Sequence, residues 1–320
     1  MHSLLLFLDG VGLGDADPDT NPFMTASLPA LHGALGVAPL TLAAAPHHGA
    51  HASLVAIDAP LGCAGVPQSG TGQAALLTGT NAALVHGRHF GPWVPARLRA
   101  CVRDESLLAR AVPAGHRVAF ANAYPEEVLR VDAGDDVPSD APARPGRMRR
   151  APQFLRAGPP LAALGAGVLT RHTPSLERGD AVASEITNEA WRERLGRNSV
   201  PSIDAATAGR NLARIVMQHD LTLFAHYATD YAGHAADMAS AVAALERVDA
   251  FVGGLLADAD TDMLVVIASD HGNIEDVRTG HTRNPAIGIV IGAGHALLAR
   301  RLRSLTDVTP AILDRLGLAV

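Results

Sequence analysis

LLLFLDGVGLGD, residues 4–15, is the stretch of sequence from which the fold can be argued. Five apolar residues lead directly to Asp9 and then to a glycine-rich turn. An apolar run without polar alternation is typical of a strand covered on both faces, as in a parallel sheet between helices. The carboxyl end of such a strand is where these sheets bind ligands. Asp9 is therefore either a turn residue, since Asp-Gly is a common turn pair, or the first ligand of a site.

The composition fits one large α/β domain. The chain has 320 residues, of which 48% are hydrophobic and 18% charged, which is ample for a large buried core. The formal net charge of −6 argues against a surface that binds nucleic acid or membrane. All 26 basic residues are arginines, which excludes a lysine Schiff base and a Walker-type phosphate loop.

The cysteines and the first apolar run indicate a cytoplasmic protein. Two cysteines, Cys63 and Cys101, are too few for a disulfide framework. The run that ends at Asp9 is too short for a membrane span, and no basic segment precedes it as in a signal peptide.

Further segments alternate between strand and helix patterns. Apolar runs predict strands at residues 52–57, 117–121, 221–226, 263–269 and 286–291. Helical patterns lie at residues 73–77, 96–111, 205–218, 235–256 and 309–316. This alternation predicts a doubly wound, mostly parallel sheet with helices on both faces.

Residues 122–202 differ from the rest of the chain. They are rich in Pro, Gly, Asp and Arg and lack a convincing series of strands. A structureless loop of this length is unusual within a compact domain. We therefore expect 122–202 to form a small inserted cap or lid, and residues 1–121 and 203–320 to form the sheet domain.

Two later strand ends carry the same chemistry as Asp9. One run is followed by Asp230-Tyr-Ala-Gly-His234, and another by Asp270-His271-Gly-Asn and then Gly280-His281-Thr. Each motif alone could be a helix cap or a turn. Three apolar strands that all lead to Asp are hard to obtain from turn preference, and their carboxyl ends can meet at one edge. Mixed oxygen and nitrogen ligands suit Zn²⁺ or Mn²⁺ better than Ca²⁺.

The stretch Gln68-Ser-Gly-Thr71-Gly-Gln precedes a helical pattern. A Thr between glycines places its hydroxyl at a helix N-terminus, where backbone N–H groups favour a phosphate. Thr71 is thus either an ordinary helix cap or a nucleophile whose hydroxyl pKa a nearby metal would lower.

Taken together, these motifs resemble the alkaline phosphatase superfamily. The order of the later ligands and the stretch LTDVTPAIL near the C-terminus are most similar to the branch of cofactor-independent phosphoglycerate mutase and phosphopentomutase. The resemblance covers residues 1–90 and 205–320 and omits the middle. It implies one metal held by Asp9, Thr71, Asp270 and His271, and a second held by Asp230, His234 and His281.

The resemblance further implies two divalent cations, Mn²⁺ or Zn²⁺, and a phosphorylated Thr71. The chain departs from the family in several respects. The phosphoglycerate mutases use Ser as nucleophile, have further Lys groups and carry a larger insertion, and the cap of phosphopentomutase is also larger. The sequence argues against a sulfatase, because Cys63-Ala-Gly-Val-Pro lacks the Arg of the sulfatase motif.

Two functions of different classes follow. The first is a phosphatase or phosphomutase, a hydrolase or isomerase that acts on a small phosphorylated metabolite. The second is a metal-stabilised binding protein of the same fold without turnover. A mutase needs arginines to hold its substrate, and the candidates are Arg88, Arg147, Arg149 and Arg150, although such a run is often only a solvated surface.

Overall fold

The computed structural model describes residues 1–129 and 153–318. Arg147, Arg149 and Arg150 lie outside the described residues. The strands are β1 (His2–Leu8), β2 (His47–His48), β3 (Ala52–Ile57), β4 (Val118–Phe120), β5 (Leu221–His226), β6 (Met263–Ser269) and β7 (Ala286–Gly292).

Helices occupy most of the connections between the strands. In the described ranges the α-helices are α1 (Pro29–Leu35), α2 (Ser69–Thr78), α3 (Ala82–His86), α4 (Ala96–Glu105), α5 (Leu107–Ala111), α6 (Glu126–Leu129), α7 (Gly158–Gly165), α8 (Thr173–Glu177), α9 (Glu189–Glu193), α10 (Ala205–Met217), α11 (Ala228–His234), α12 (Met238–Ala257), α13 (His295–Ala299) and α14 (Val308–Arg315). Short 3₁₀ turns lie at Pro22–Met24, Leu42–Ala44, Gln153–Arg156 and Leu305–Asp307.

The strands form one seven-stranded sheet in the order β2-β3-β7-β6-β1-β5-β4. Strands β6, β1, β5 and β4 are parallel neighbours. β7 is antiparallel to both β6 and β3, and β2 is antiparallel to β3. The predicted mostly parallel α/β fold is confirmed: five strands run in one direction, and β7 and β2 run in the opposite one. The periodicity of a buried strand cannot reveal its direction.

Helices cover both faces of the sheet, which explains why β1 is apolar throughout. Leu5 and Phe7 lie in a core formed with α2, α4, α5, α7, α13 and α14. Leu4, Leu6 and Leu8 lie in a second core formed with α1, α10 and α12. Successive strand residues point to opposite faces, so every residue from Leu4 to Leu8 must be apolar.

One predicted helix is divided into two, and another begins later than predicted. The pattern at 96–111 is broken at Ser106, whose hydroxyl accepts a hydrogen bond from the N–H of Ala109 and so begins α5. The pattern at 235–256 begins at Met238, after Asp237 caps α12 through the N–H of Ser240. The preceding turns form the separate helix α11, which carries Asp230 and His234.

The described part of residues 122–202 packs in more than one place. Helix α7 lies in the same core as Leu5 and Phe7 and contacts α2 and α4. Leu176, Trp191 and Val200 form a smaller cluster with Ala123. The assignment of 122–202 as an inserted cap stays a prediction.

None of the helices in the described ranges is both long and apolar enough to cross a lipid bilayer.

Candidate metal centre

Asp9 stands at the carboxyl end of β1 and enters the site through a tight turn. Its backbone N–H still donates to the carbonyl of His226 on β5, at 2.9 Å. The next residue, Gly10, has a φ of +68°, and a Cβ there would lie 2.5 Å from Oδ1 of Asp230. Only glycine fits both the positive φ and this close approach. The Asp9-Gly10 pair is therefore a turn that also places a carboxylate in the site.

Asp9, Asp270 and His271 form the first group of candidate ligands. All three side chains are buried, and one ligand atom from each lies within 4.8 Å of the others. Nε2 of His271 is 3.3 Å from Oδ1 of Asp9 and 3.7 Å from Oδ2 of Asp270. The group forms because β1 and β6 are adjacent parallel strands, with Leu8 paired to Ser269.

Asp230, His234 and His281 form the second group. Asp230 and His234 are four residues apart on α11, a spacing that puts both side chains on one helix face. Nε2 of His234 is 3.4 Å from Oδ2 of Asp230, and Nε2 of His281 is 3.5 Å from Oδ1 of the same carboxylate. The His234 side chain is 51% exposed, so this group opens to solvent.

The two groups adjoin each other. The rings of His271 and His281 stack with centroids 4.0 Å apart. The side-chain amide of Asn273 donates to Oδ1 of Asp230 at 2.6 Å, which holds that carboxylate beside the β6–β7 connection. The sequence-predicted Asp and His residues are thus all brought together at one edge of the sheet.

The electrostatics of the first group show a cluster of buried acids. Burial raises the pKa of Asp9 and raises that of Asp270 well above its usual range, and the negative charge of Asp9 adds to the effect on Asp270. Burial alone would lower the pKa of His271, but the carboxylates of Asp270 and Asp9 raise it to about 10. Keeping both carboxylates ionised therefore requires further positive charge beside them.

The pKa of Asp230 is lowered, whereas those of Asp9 and Asp270 are raised. Burial would raise it, but a hydrogen bond from His281 and the charge of His271 lower it. Asp230 is held ionised by its imidazole neighbours, as a metal ligand must be.

The donor set fits divalent cations. Within the described residues, Oδ1 of Asp9 and Oδ2 of Asp270 are buried and accept no hydrogen bond. An orphaned buried carboxylate oxygen is costly unless a cation or donor faces it. Carboxylate and imidazole ligands in two adjoining groups match Zn²⁺ or Mn²⁺. A cation in the first group would supply the missing partner.

The hydroxyl at the first group belongs to Ser69, which the sequence analysis did not single out. Ser69 is the first residue of α2, and its Oγ lies 2.9 Å from Nε2 of His271. Ser69, Asp9 and Asp270 therefore all place an oxygen within 3.7 Å of this one nitrogen. The sequence signal for Ser69 was its place directly before the glycine of the Gln68–Gln73 turn.

The hydroxyl of Thr71, unlike that of Ser69, forms its hydrogen bonds with backbone groups. Its Oγ1 donates to the carbonyl of Gln68 at 3.2 Å and accepts from the N–H of Phe90 at 3.2 Å. The side chain is fully buried. These hydrogen bonds join α2 to the loop that carries Phe90, and they favour Ser69 rather than Thr71 as the hydroxyl at the first group.

Arg88 is the described member of the predicted substrate-binding arginines. Its side chain is exposed and its guanidinium carbon lies 6.0 Å from the centre of the Phe90 ring. Because Phe90 bonds to Thr71 on α2, Arg88 stands on the loop that packs against the N-terminus of this helix.

Two further buried polar residues support the ligands. The Gln73 amide donates to Oδ2 of Asp9 at 3.3 Å and accepts from the N–H of Gly158 at 2.8 Å. The carboxylate of Glu275 is also buried beside the ligand loops. No spacing rule identifies such residues, because their partners are far away in the sequence.

Comparisons with known proteins agree with the motifs. Residues 198–320 match the family model of the Metalloenzyme superfamily. The chain is 35% identical over 114 residues to the 2,3-bisphosphoglycerate-independent phosphoglycerate mutase of Desulforudis audaxviator, and 30% identical over 122 residues to that of Moorella thermoacetica. These matches confirm the family resemblance predicted from the sequence.

The alignments cover 32% and 36% of this chain and 22% and 24% of the two mutases, so the chain matches less than a quarter of their length. Among solved structures, the PH0037 protein from Pyrococcus horikoshii is similar with a TM-score of 0.54 and 12% identity. That similarity covers 99% of this chain and 96% of the other, and it concerns the fold alone.

Proposed function

We propose that this chain is a metal-dependent phosphoryl-transfer enzyme, a phosphatase or phosphomutase that acts on a small phosphorylated metabolite. The observation that carries the proposal is the pair of adjoining Asp and His groups at the carboxyl edge of β6, β1 and β5. The similarity of the C-terminal part to phosphoglycerate mutases supports it. Two bound divalent cations would neutralise the oxygens of the transferred phosphoryl group and lower the pKa of a nearby hydroxyl.

We further propose that the attacking group is Ser69. Its Oγ lies 2.9 Å from a candidate ligand nitrogen, whereas the hydroxyl of Thr71 bonds to Gln68 and Phe90. In the proposed step the Ser69 hydroxyl loses its proton, its oxygen forms a bond to phosphorus, and the P–O bond to the substrate breaks. The departing oxygen takes up a proton, and phosphoserine remains. The N-terminus of the ten-residue helix α2 favours the negative phosphate at this position.

The second step divides the two reaction types. If water attacks the phosphoserine, phosphate is released and the enzyme is a phosphatase. If a hydroxyl of the retained substrate attacks, the phosphoryl group is moved and the enzyme is a phosphomutase. Arg88 stands on the loop that is joined to α2 through Phe90 and Thr71, and we propose that it contacts the substrate.

A screen of phosphorylated metabolites with product analysis tests this function. Purified protein with Mn²⁺ or Zn²⁺ is incubated with p-nitrophenyl phosphate and with the metabolite panel, and both free phosphate and isomerised products are measured. Turnover that disappears in EDTA and returns with metal is expected. Metal binding without turnover on any compound would instead favour a metal-stabilised binding protein.

A further inference from the structure

Glu275 is a buried carboxylate that stands among the ligand loops without joining either group of candidate ligands in the described residues. It follows five residues after Asp270, and only 1% of its surface is exposed. Its oxygens accept hydrogen bonds from the N–H of Gly12 at 2.9 Å, the N–H of Asn273 at 2.8 Å, the hydroxyl of Thr282, and the amide of Asn284 at 3.1 Å.

The donors come from two loops that carry ligands, the segment after β1 and the connection between β6 and β7. Gly12 lies three residues after Asp9, and Asn273 lies two residues after His271. Thr282 directly follows His281. One carboxylate therefore joins the ends of the segments that present ligands to both groups, and these segments are otherwise up to 270 residues apart in the sequence.

The backbone is shaped to let the carboxylate approach. A Cβ added at Gly12 or at Gly272 would collide with the carboxylate oxygens of Glu275. Both glycines are thus positions where a side chain would push the loop away from Glu275.

A second contact extends this arrangement to α11. The backbone N–H of Asn273 donates to Glu275, while its side-chain amide donates to both the Oδ1 and the carbonyl of Asp230, at 2.6 and 3.2 Å. Asn273 therefore links Glu275 to Asp230, a candidate ligand of the second group, through hydrogen bonds.

We propose that Glu275 is a positioning residue that sets the spacing of the two groups of ligands. The proposal rests on the proposed function only in that these Asp and His residues bind cations. Glu275 acts through the loops, because its oxygens are already occupied by four donors. Charge-assisted hydrogen bonds to a buried carboxylate are about twice as strong as neutral ones. Outer residues that orient metal ligands typically contribute about 10- to 100-fold to metal affinity.

The test is a titration of the metal-free chain with Co²⁺, followed by visible absorption, which reports ligand geometry without requiring turnover. In Glu275→Gln the new NH₂ group faces donors, so we expect about 10- to 100-fold weaker Co²⁺ binding and an altered spectrum. Asn273→Ala should weaken the binding of only one of the two Co²⁺ ions, because the Asn273 side-chain amide contacts Asp230 alone among the ligands.

Asp249→Asn is the matched control. Asp249 is also buried, at 2% exposure, and accepts hydrogen bonds from the N–H groups of Ala30 and Leu31, so the variant should lose stability in urea yet bind Co²⁺ as the wild type does. If Glu275→Gln does not fold, Glu275→Asp keeps the charge but is too short to reach all four donors, and the same loss is expected.

The outcomes separate this inference from the proposed function. Wild-type Co²⁺ affinity and spectrum in Glu275→Gln, or in Glu275→Asp where the first does not fold, would overturn the positioning role and leave the two-metal site standing. A wild-type chain that binds no Co²⁺ would overturn the proposed metal site, and the inference with it.

Discussion

The imidazole rings of His271 and His281 stack 4.0 Å apart at an interplanar angle of 28°. His271 belongs to the group with Asp9 and Asp270, and His281 to the group with Asp230. Both histidines lie on the single connection between β6 and β7. One loop therefore reaches both candidate metal positions, and a disturbance of this loop will be felt at each.

The purified chain should bind about two divalent ions, because each group offers three ligands and leaves positions open for substrate. His234→Ala should lower the content to about one ion per chain, since His234 belongs only to the second group. Elemental analysis after dialysis measures this. His116→Ala, whose imidazole lies beside Asp220 and in neither group, should keep the wild-type content. An unchanged content in His234→Ala would contradict the assignment.

Ser69→Ala should lower the turnover rate by about three orders of magnitude or more while the metals stay bound, as is usual when a covalent nucleophile is removed. Acid quench during turnover followed by peptide mass analysis should locate phosphate on Ser69.

Thr71→Ala is the matched comparison for Ser69→Ala. It should retain most activity and lose about 1 kcal/mol of stability, because its hydroxyl bonds only to Gln68 and Phe90. The reverse pattern, with phosphate on Thr71 and full activity in Ser69→Ala, would restore Thr71 as the nucleophile.

Gly10→Ala should weaken metal binding as well as stability. Its φ of +68° alone costs about 1–2 kcal/mol for alanine, and the new Cβ would meet Oδ1 of Asp230. Gly36→Ala is the control that measures the cost of the backbone conformation alone, because Gly36 has a φ of +70° and open space around the added Cβ. Urea unfolding should show a loss in both variants, whereas Co²⁺ titration should change only for Gly10→Ala. Equal metal binding in both would show that Asp230 tolerates the clash.

Asp220 should contribute an acid-sensitive part of the stability, far from the metal ligands. Hydrogen bonds from the Arg117 side chain and backbone lower its pKa from 3.8 to about 2. Because the folded pKa is depressed, this stabilisation is present above about pH 4 and is lost as the pH falls toward about 2. Urea unfolding of the metal-free chain should show a steeper acid loss in wild type than in Asp220→Asn. The difference between the two proteins should shrink in 1 M salt, since the Arg117–Asp220 ion pair is partly exposed. If stability falls equally with pH in both proteins, Asp220 does not contribute this acid-sensitive part.

Much of the fold was predictable because a strand that is buried on both faces of the sheet appears in the sequence as an uninterrupted apolar run. The runs at 52–57, 221–226 and 263–269 coincide with β3, β5 and β6. The convergence of the Asp and His residues also followed from sequence, because the carboxyl ends of parallel neighbours share an edge. That reasoning needed only parallel strands and the residues that follow each of them.

Other features depended on contacts that have no local signal. Ser69 and Thr71 lie in the same glycine-rich turn, and the sequence predicted Thr71 as the hydroxyl at the site. Because α2 begins at Ser69, the two side chains point about 160° apart around the helix, so only one can face His271. Glu275 is similar: its donors Gly12 and Thr282 reach it from separate loops, and their meeting depends on how β1, β6 and β7 are ordered in the sheet. The sequence determined which chemical groups gather at the edge of the sheet. The tertiary structure decided which of them face one another, because side-chain direction depends on helix phase and loop closure.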